Sequence, residues 1–93
     1  MFVDASAIIA IIADEPDRLS LSARLVHASE IFVSPVVVYE ATTGLSRRPA
    51  CSIEDAEYLV GALIEDVSAE MIEISAGIAR EAARVWSIRS WKT

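Results

Sequence analysis

Cysteine, glycine and proline are all scarce in this 93-residue chain. Cys51 is the only cysteine, so no intrachain disulfide is possible and neither a CxxC nor a zinc-finger spacing exists. A reduced, cytoplasmic setting is the default expectation for such a chain. Three glycines and three prolines are too few for a turn-rich all-β protein and favour long helices. GxGxxG, GxxxxGKS/T and GxSxG are all absent, so dinucleotide-binding, P-loop and serine-hydrolase readings have no support. No repeat or low-complexity run is present. The apolar run Ala7 to Ala13 is far too short to span a bilayer. With Asp4 just before it and no basic residue ahead, it does not read as a signal peptide, and a protein without membrane contact is expected.

What is present is apolar and acidic. The composition is 54% hydrophobic, with a mean hydropathy of +0.43, which predicts one compact domain over residues 1–93 rather than a disordered chain. A net charge of −6 speaks against binding of a phosphate backbone, which relies on Lys and Arg to displace counterions. One class escapes that exclusion: a metal-dependent nuclease gathers carboxylates in its cleft, and bound divalent cations invert the local field.

Along the chain, short apolar runs alternate with helical patterns. Phe2-Val3-Asp4 reads as a strand ending in a carboxylate, with Ser6 as the N-cap of a helix from Ala7 that is apolar on every face. Asp14-Glu15-Pro16-Asp17 breaks the chain and restarts it, Pro16 suiting the first turn of a helix to about His27 with Leu19, Ala23 and Val26 inward. Ile31-Phe32-Val33 is a second strand. Ser34-Pro35 opens a third helix to about Arg47, against the weak helix propensity of Val36, Val37 and Val38. Ser52-Ile53-Glu54-Asp55 reads as a capping box, and Ala56, Leu59, Val60 and Leu63 follow at amphipathic spacing. Met71-Ile72-Glu73-Ile74 is a third strand, and Ser75 caps a last helix with Ile78, Ala82, Val85 and Trp86 inward. Apolar strands alternating with helices predict an α/β fold in three layers, α/β/α, on a parallel sheet whose ligands collect at the carboxyl ends of the strands.

Asp4 stands at that edge. A carboxylate ending an apolar strand is partly buried and needs a cation, backbone N–H groups or an arginine; capping the next helix and binding a metal are both open. Glu40, in the middle of Val36 to Ala41, shares a helical stripe with Thr43, Gly44 and Arg47. It is either a solvated residue beside Arg47 or a second ligand. Two carboxylates converging there would suit Mg²⁺ or Mn²⁺. Ser6 can hydrogen-bond Asp4 or cap the helix. His27 and Cys51 read as structural, and Arg47, Arg48, Arg80, Arg84 and Arg89 read as well on solvated faces as on phosphate. No residue is singled out for RNA contact.

Met1 to Ile11 followed by Glu15-Pro16 resembles the opening of VapC-type PIN-domain ribonuclease toxins: an apolar strand, Asp-x-Ser, an apolar helix, then a Glu-Pro break. Val33-Ser34-Pro35 through Tyr39-Glu40-Ala41 is similar to the family's second strand and the helix bearing its second acid. Ile72-Glu73-Ile74 through Ile78 to Ala83 is similar to its third strand and next helix. The resemblance implies that Asp4 and Glu40 are catalytic and metal-ligating members of a Mg²⁺ or Mn²⁺ site, with Ser6 supporting them. It implies endoribonuclease action on RNA within a type II toxin–antitoxin system, restraint by a VapB-type antitoxin, and a homodimer or other oligomer.

The family pattern continues to two later acids and further strands. Here no Asp follows Asp66, and Val85 to Thr93, with Trp86 and Trp91, looks unlike the family. The expectation is an incomplete PIN-like domain lacking the C-terminal strands. Its first strand, central in the family's sheet, would then have an open side that invites a partner chain. The alternative function is a catalytically dead PIN remnant serving as an antitoxin-binding or dimerisation module. A phospho-receiver domain would also put an acid at the end of its first strand, but it wants an Asp where Ile74-Ser75 stands.

Overall fold

Three chain segments run side by side among the described residues. The computed structural model describes residues 1–73. Phe2 pairs in parallel with Phe32 through a single bridge. Strand β1 (Phe32–Val33) also pairs in parallel with β2 (Glu70–Met71), Phe32 opposite Glu70 and Val33 opposite Met71. The order across the described sheet is therefore third segment, second, first, with β1 in the middle. Val3 N–H donates to Phe32 O at 3.0 Å and Phe32 N–H to Met1 O at 2.8 Å, while Glu70 N–H reaches Ile31 O at 2.8 Å and Ile72 N–H reaches Val33 O at 2.9 Å. The Phe2 and Phe32 rings meet at 5.4 Å between centroids, a tilted pair across the bridge. The third strand lies one residue earlier than the sequence pattern indicates, starting at Glu70 rather than Met71, although Ile72 still bonds to its neighbour.

Among the described residues, four helices pack beside this seam: α1 (Ala5–Ile12), α2 (Arg18–His27), α3 (Pro35–Ser46) and α4 (Ile53–Asp66). Helix α1 packs against the other three, and α3 packs along α4. Ala7, Ala10, Ala41 and Ala56 have no exposed surface, so methyl groups let the helices approach closely, and Leu21, Val33 and Val60 fill the volume between them. The helix over Val36, Val37 and Val38 forms despite their weak propensity. Ser34 caps it, accepting from Val37 N–H at 3.2 Å, and Pro35 occupies its first position. The capping box at Ser52 is complete: Asp55 N–H donates to the serine hydroxyl at 3.0 Å and Ser52 N–H to the Asp55 carboxylate at 3.4 Å.

Four local readings change. Helix α1 begins at Ala5, so Ser6 lies inside it and Asp4 is its N-cap. Pro16 is not in a helical turn. It follows Glu15 in a turn closed by Arg18 N–H to Glu15 O at 2.9 Å, the position where a fixed φ favours a β-turn. On α2 the inward residues are Leu21 and Leu25, whereas Leu19 is 70% and Val26 78% exposed and Ala23 is exposed too. On α4, Ala56 and Val60 are buried, but Leu59 turns outward. The helix read from Ser75 onward, with Ile78, Ala82, Val85 and Trp86, lies outside the described residues.

Helices α1 and α4 both end in a left-handed residue without glycine. Asp14 has φ 60° and Ser68 φ 54°. In each case the next N–H folds back onto the helix: Glu15 to Ala10 O and Ala69 to Ile64 O, both at 3.0 Å.

Candidate metal centre at the carboxyl edge

Because the Phe2 and Phe32 segments run in parallel, the helices that follow them start from the same edge of the sheet. Val3 is buried and tied to Phe32 O, and the chain turns into α1 immediately afterwards, which puts Asp4 at that edge in an extended conformation with φ −90° and ψ 166°. Ser34 occupies the equivalent place after β1, with φ −105° and ψ 159°.

Asp4 is half-buried, and two donors converge on one of its oxygens. Ala7 N–H and the Ser6 hydroxyl each reach Oδ1 at 2.9 Å. The first bond is the helix cap. The second comes from the exposed Ser6 hydroxyl, and the two together fix the carboxylate's rotamer. Capping at Oδ1 does not by itself occupy Oδ2, so the two readings of Asp4 are compatible. Ser6 is a neighbour that orients the acid rather than a cap of its own.

Glu40 is exposed on α3. No ion pair joins it to Arg47; among the described residues the ion pairs are Arg18 with Asp14, and Arg48 with Glu15 at 3.0 Å. Thr43, one turn on, donates its hydroxyl to the carbonyls of Tyr39 and Glu40 at 2.9 and 3.2 Å. Gly44 lies against Ile9 of α1: a β-carbon built there would fall 2.6 Å from Ile9 Cδ1. One turn back from this contact, towards the strand edge, stand Glu40 on α3 and Ala5, next to Asp4, on α1.

Asp4, Ser6 and Glu40 offer oxygen donors, two carboxylates and a hydroxyl, which would fit Mg²⁺ or Mn²⁺ rather than a soft metal. Mg²⁺ keeps several waters and needs only one or two carboxylates. Among the described residues, no group of three or more His, Cys, Asp or Glu side chains is placed to hold a metal ion. His27 is exposed in the last turn of α2, and Cys51 is half-buried with its thiol 3.7 Å from Ser52 O. An open cavity of about 480 Å³ is lined by Met1, Ser20, Ala23, Arg24, His27 and Ala28, at the opposite, amino-terminal edge of the strands.

The PIN domain family pattern matches residues 1–92. The chain belongs to the PIN domain family. The α/β fold with parallel strands is the one expected of a PIN domain. PIN domains are generally nucleases that use divalent metals, which sets the coarse class of this one as a nuclease-type hydrolase. The match also runs past Ala83-Arg84, where the quoted motifs stop, so nearly all of the segment read as unlike the family falls within it. No curated protein matches the chain. Among the described residues no helix is long and apolar enough to cross a membrane.

The sequence reading missed the Arg48–Glu15 pair, which ties the α1–α2 turn to the segment after α3. It also listed Gly44 only as a member of the Glu40 stripe. The signal for the second lay in the spacing: Glu40 and Gly44, like Ala5 and Ile9, are four residues apart on one helix face.

Proposed function

We propose that this PIN domain is a VapC-type endoribonuclease toxin that cleaves RNA phosphodiesters at a Mg²⁺ or Mn²⁺ site built on Asp4 and Glu40. The observation that carries the reading is the state of Asp4. Its carboxylate stands at the carboxyl edge of a parallel sheet, rotamer fixed by Ala7 N–H and Ser6, with α3 packed so that Glu40 is one turn from the α1 contact. When bound, a divalent cation would lower the pKa of a ligating water and stabilise charge developing on the phosphate. Asp4 and Glu40 would hold that cation through oxygen ligands, and Ser6 would keep the Asp4 carboxylate in one orientation. The negative field of the two acids repels a phosphate until it is neutralised, which makes RNA binding and metal binding interdependent.

The same reading makes a VapB-type antitoxin this protein's partner, the assembly a homodimer or other oligomer, and the setting cytoplasmic. Cleavage of RNA by the purified chain in Mn²⁺ or Mg²⁺ tests it, beside an Asp4→Ala variant and an EDTA control. Cleavage is expected with metal alone and should vanish with either change; activity insensitive to both would overturn the mechanism.

A second reading, a catalytically silent module that binds an antitoxin, is favoured by the acids: among the described residues no group of three or more that could hold a metal is present. Capture of a VapB-type antitoxin without metal-dependent cleavage would decide for it.

A further inference from the structure

Helix α2 carries two apolar series, and the core uses one of them. Leu21 and Leu25 are buried, whereas Leu19 is 70% and Val26 78% exposed, with Ala23 exposed between them. Leu19, Ala23 and Val26 follow at four- and three-residue spacing, which is the spacing of a seam along which a second helix packs. An isolated exposed leucine is ordinary, but an apolar stripe along a whole helix is a contact surface. Beside the stripe lies the open cavity of about 480 Å³ whose wall includes Ser20, Ala23, Arg24 and His27. Ser20, Ser22 and Ala23 are small, so a second helix can come close at the middle of the stripe, between its two bulkier ends.

The charges point to what that second helix is. The chain enters α2 through Asp14, Glu15 and Asp17, and Arg24 and His27 stand in the last turn. Arg18 is also at the entering end, where it pairs with Asp14. A parallel pair of such helices would set Arg24 against Arg24 and Asp17 against Asp17. An antiparallel pair sets the acidic end of each against the basic end of the other. The apolar pattern has the same symmetry, because Leu19 and Val26 are equally far from the point between Ser22 and Ala23. A surface that complements itself about one point is what a two-fold interface requires.

We propose that α2 is a self-association surface, two copies of the chain pairing antiparallel about an axis between Ser22 and Ala23. Leu19 packs on the partner's Val26, Asp17 comes beside the partner's His27, and the two helix dipoles oppose each other. This gives the homodimer of the reading above a surface, and it stands independently of the metal site. A helix of 10 residues is about 15 Å long. The contact is therefore at the small end of specific interfaces, with an expected dissociation constant on the order of 10 µM.

Sedimentation equilibrium of the full chain, from about tenfold below to about fiftyfold above that value, tests the pairing. A monomer–dimer equilibrium is expected. Leu19→Asp and Val26→Asp should each raise the dissociation constant roughly tenfold or more, because the two-fold buries each added charge twice. Tyr58→Asp, at a comparably exposed site on α4, is the control and should leave it unchanged. None of these side chains is buried, so circular dichroism melting should show every variant folded.

Disulfide trapping then fixes the orientation. In a Cys51→Ser background, chains carrying Leu19→Cys and Val26→Cys should cross-link when mixed and only weakly alone. In the antiparallel pair the two copies of position 19 are about 10 Å apart along the axis. A disulfide spans no more than roughly 7 Å between α-carbons. A chain that stays monomeric throughout overturns the proposal and leaves the stripe to another segment of this chain or to a different protein. A dimer indifferent to Leu19→Asp and Val26→Asp overturns it as well, and so does one in which Leu19→Cys cross-links alone as readily as with Val26→Cys. None of these measurements depends on RNA cleavage or on Mn²⁺, so the metal-site reading and the pairing can fail separately.

Discussion

Two helices leave the same edge of the sheet, and their first turns are closed by different chemistry. Ser34 closes α3 with a neutral hydroxyl, buried to 3% exposure and bonded to Val37 N–H. Asp4 closes α1 with a carboxylate that is half-buried and bonded to Ala7 N–H. Serine and aspartate are near-equal N-caps, so the cap alone gives no reason to place a charge at α1. The charge has a desolvation cost that the hydroxyl avoids, and Ser6 is positioned to steady it. The difference separates a neutral cap from a charged one that a neighbouring hydroxyl also bonds.

Replacing each cap in turn breaks this comparison. The largest effect is expected from Asp4→Asn, which keeps a good cap and removes the charge. Mn²⁺-dependent RNA cleavage should fall by on the order of 100-fold or more, exceeding the loss typical of a metal site's outer partners, while the melting temperature stays near the parent's. A variant that cleaves normally would reduce Asp4 to a cap. Ser34→Ala should do the opposite. Urea unfolding should show a loss of about 1–2 kcal/mol, because a cap is removed at a buried position, with cleavage per folded molecule little changed.

Ser6→Ala lies between them. The Ala7 cap bond survives, so stability measured by the same unfolding should change by less than about 1 kcal/mol, yet cleavage should fall by roughly tenfold as the carboxylate loses its second anchor. The smallest effect concerns neither cap. Ser68→Gly should raise stability by about 1 kcal/mol in chemical denaturation, since glycine takes the left-handed conformation without the penalty that serine pays. A neutral or negative result would show that the Ser68 turn is not strained in solution.

The starts of α3 and α4 were legible because a capping residue sits directly beside a strong signal: proline after Ser34, and Asp55 three residues after Ser52. The start of α1 was ambiguous because Asp4 and Ser6 are both competent caps two residues apart. The strand decides between them. Val3 is held by Phe32, so the helix begins at the first residue released from the sheet. Helix α2 was read on the wrong face because it carries two apolar series. Leu19, Ala23 and Val26 form one, Leu21 and Leu25 the other, and periodicity alone cannot rank them. The Glu15–Pro16 turn sets the phase with which the chain enters α2, and that phase points Leu21 and Leu25 inward.

At the site, Asp4 was legible as an acid ending an apolar strand, and Glu40 as an acid in an apolar run. Their relation was not, because it depends on how near α3 comes to α1. Gly44 of α3 lies against Ile9 of α1, a contact between residues 35 positions apart that no local pattern reports.

Every inter-strand hydrogen bond described here has one end on the segment Ile31 to Val33. Loss of that segment from the sheet would release Val3 and Glu70 at the same moment, although they are far apart in the chain. In native-state hydrogen exchange, the amides of Val3, Phe32, Glu70 and Ile72 should therefore open as one cooperative unit, with a common free energy and a common response to denaturant. The edge that holds Asp4 would then be as durable as the middle strand, and no more.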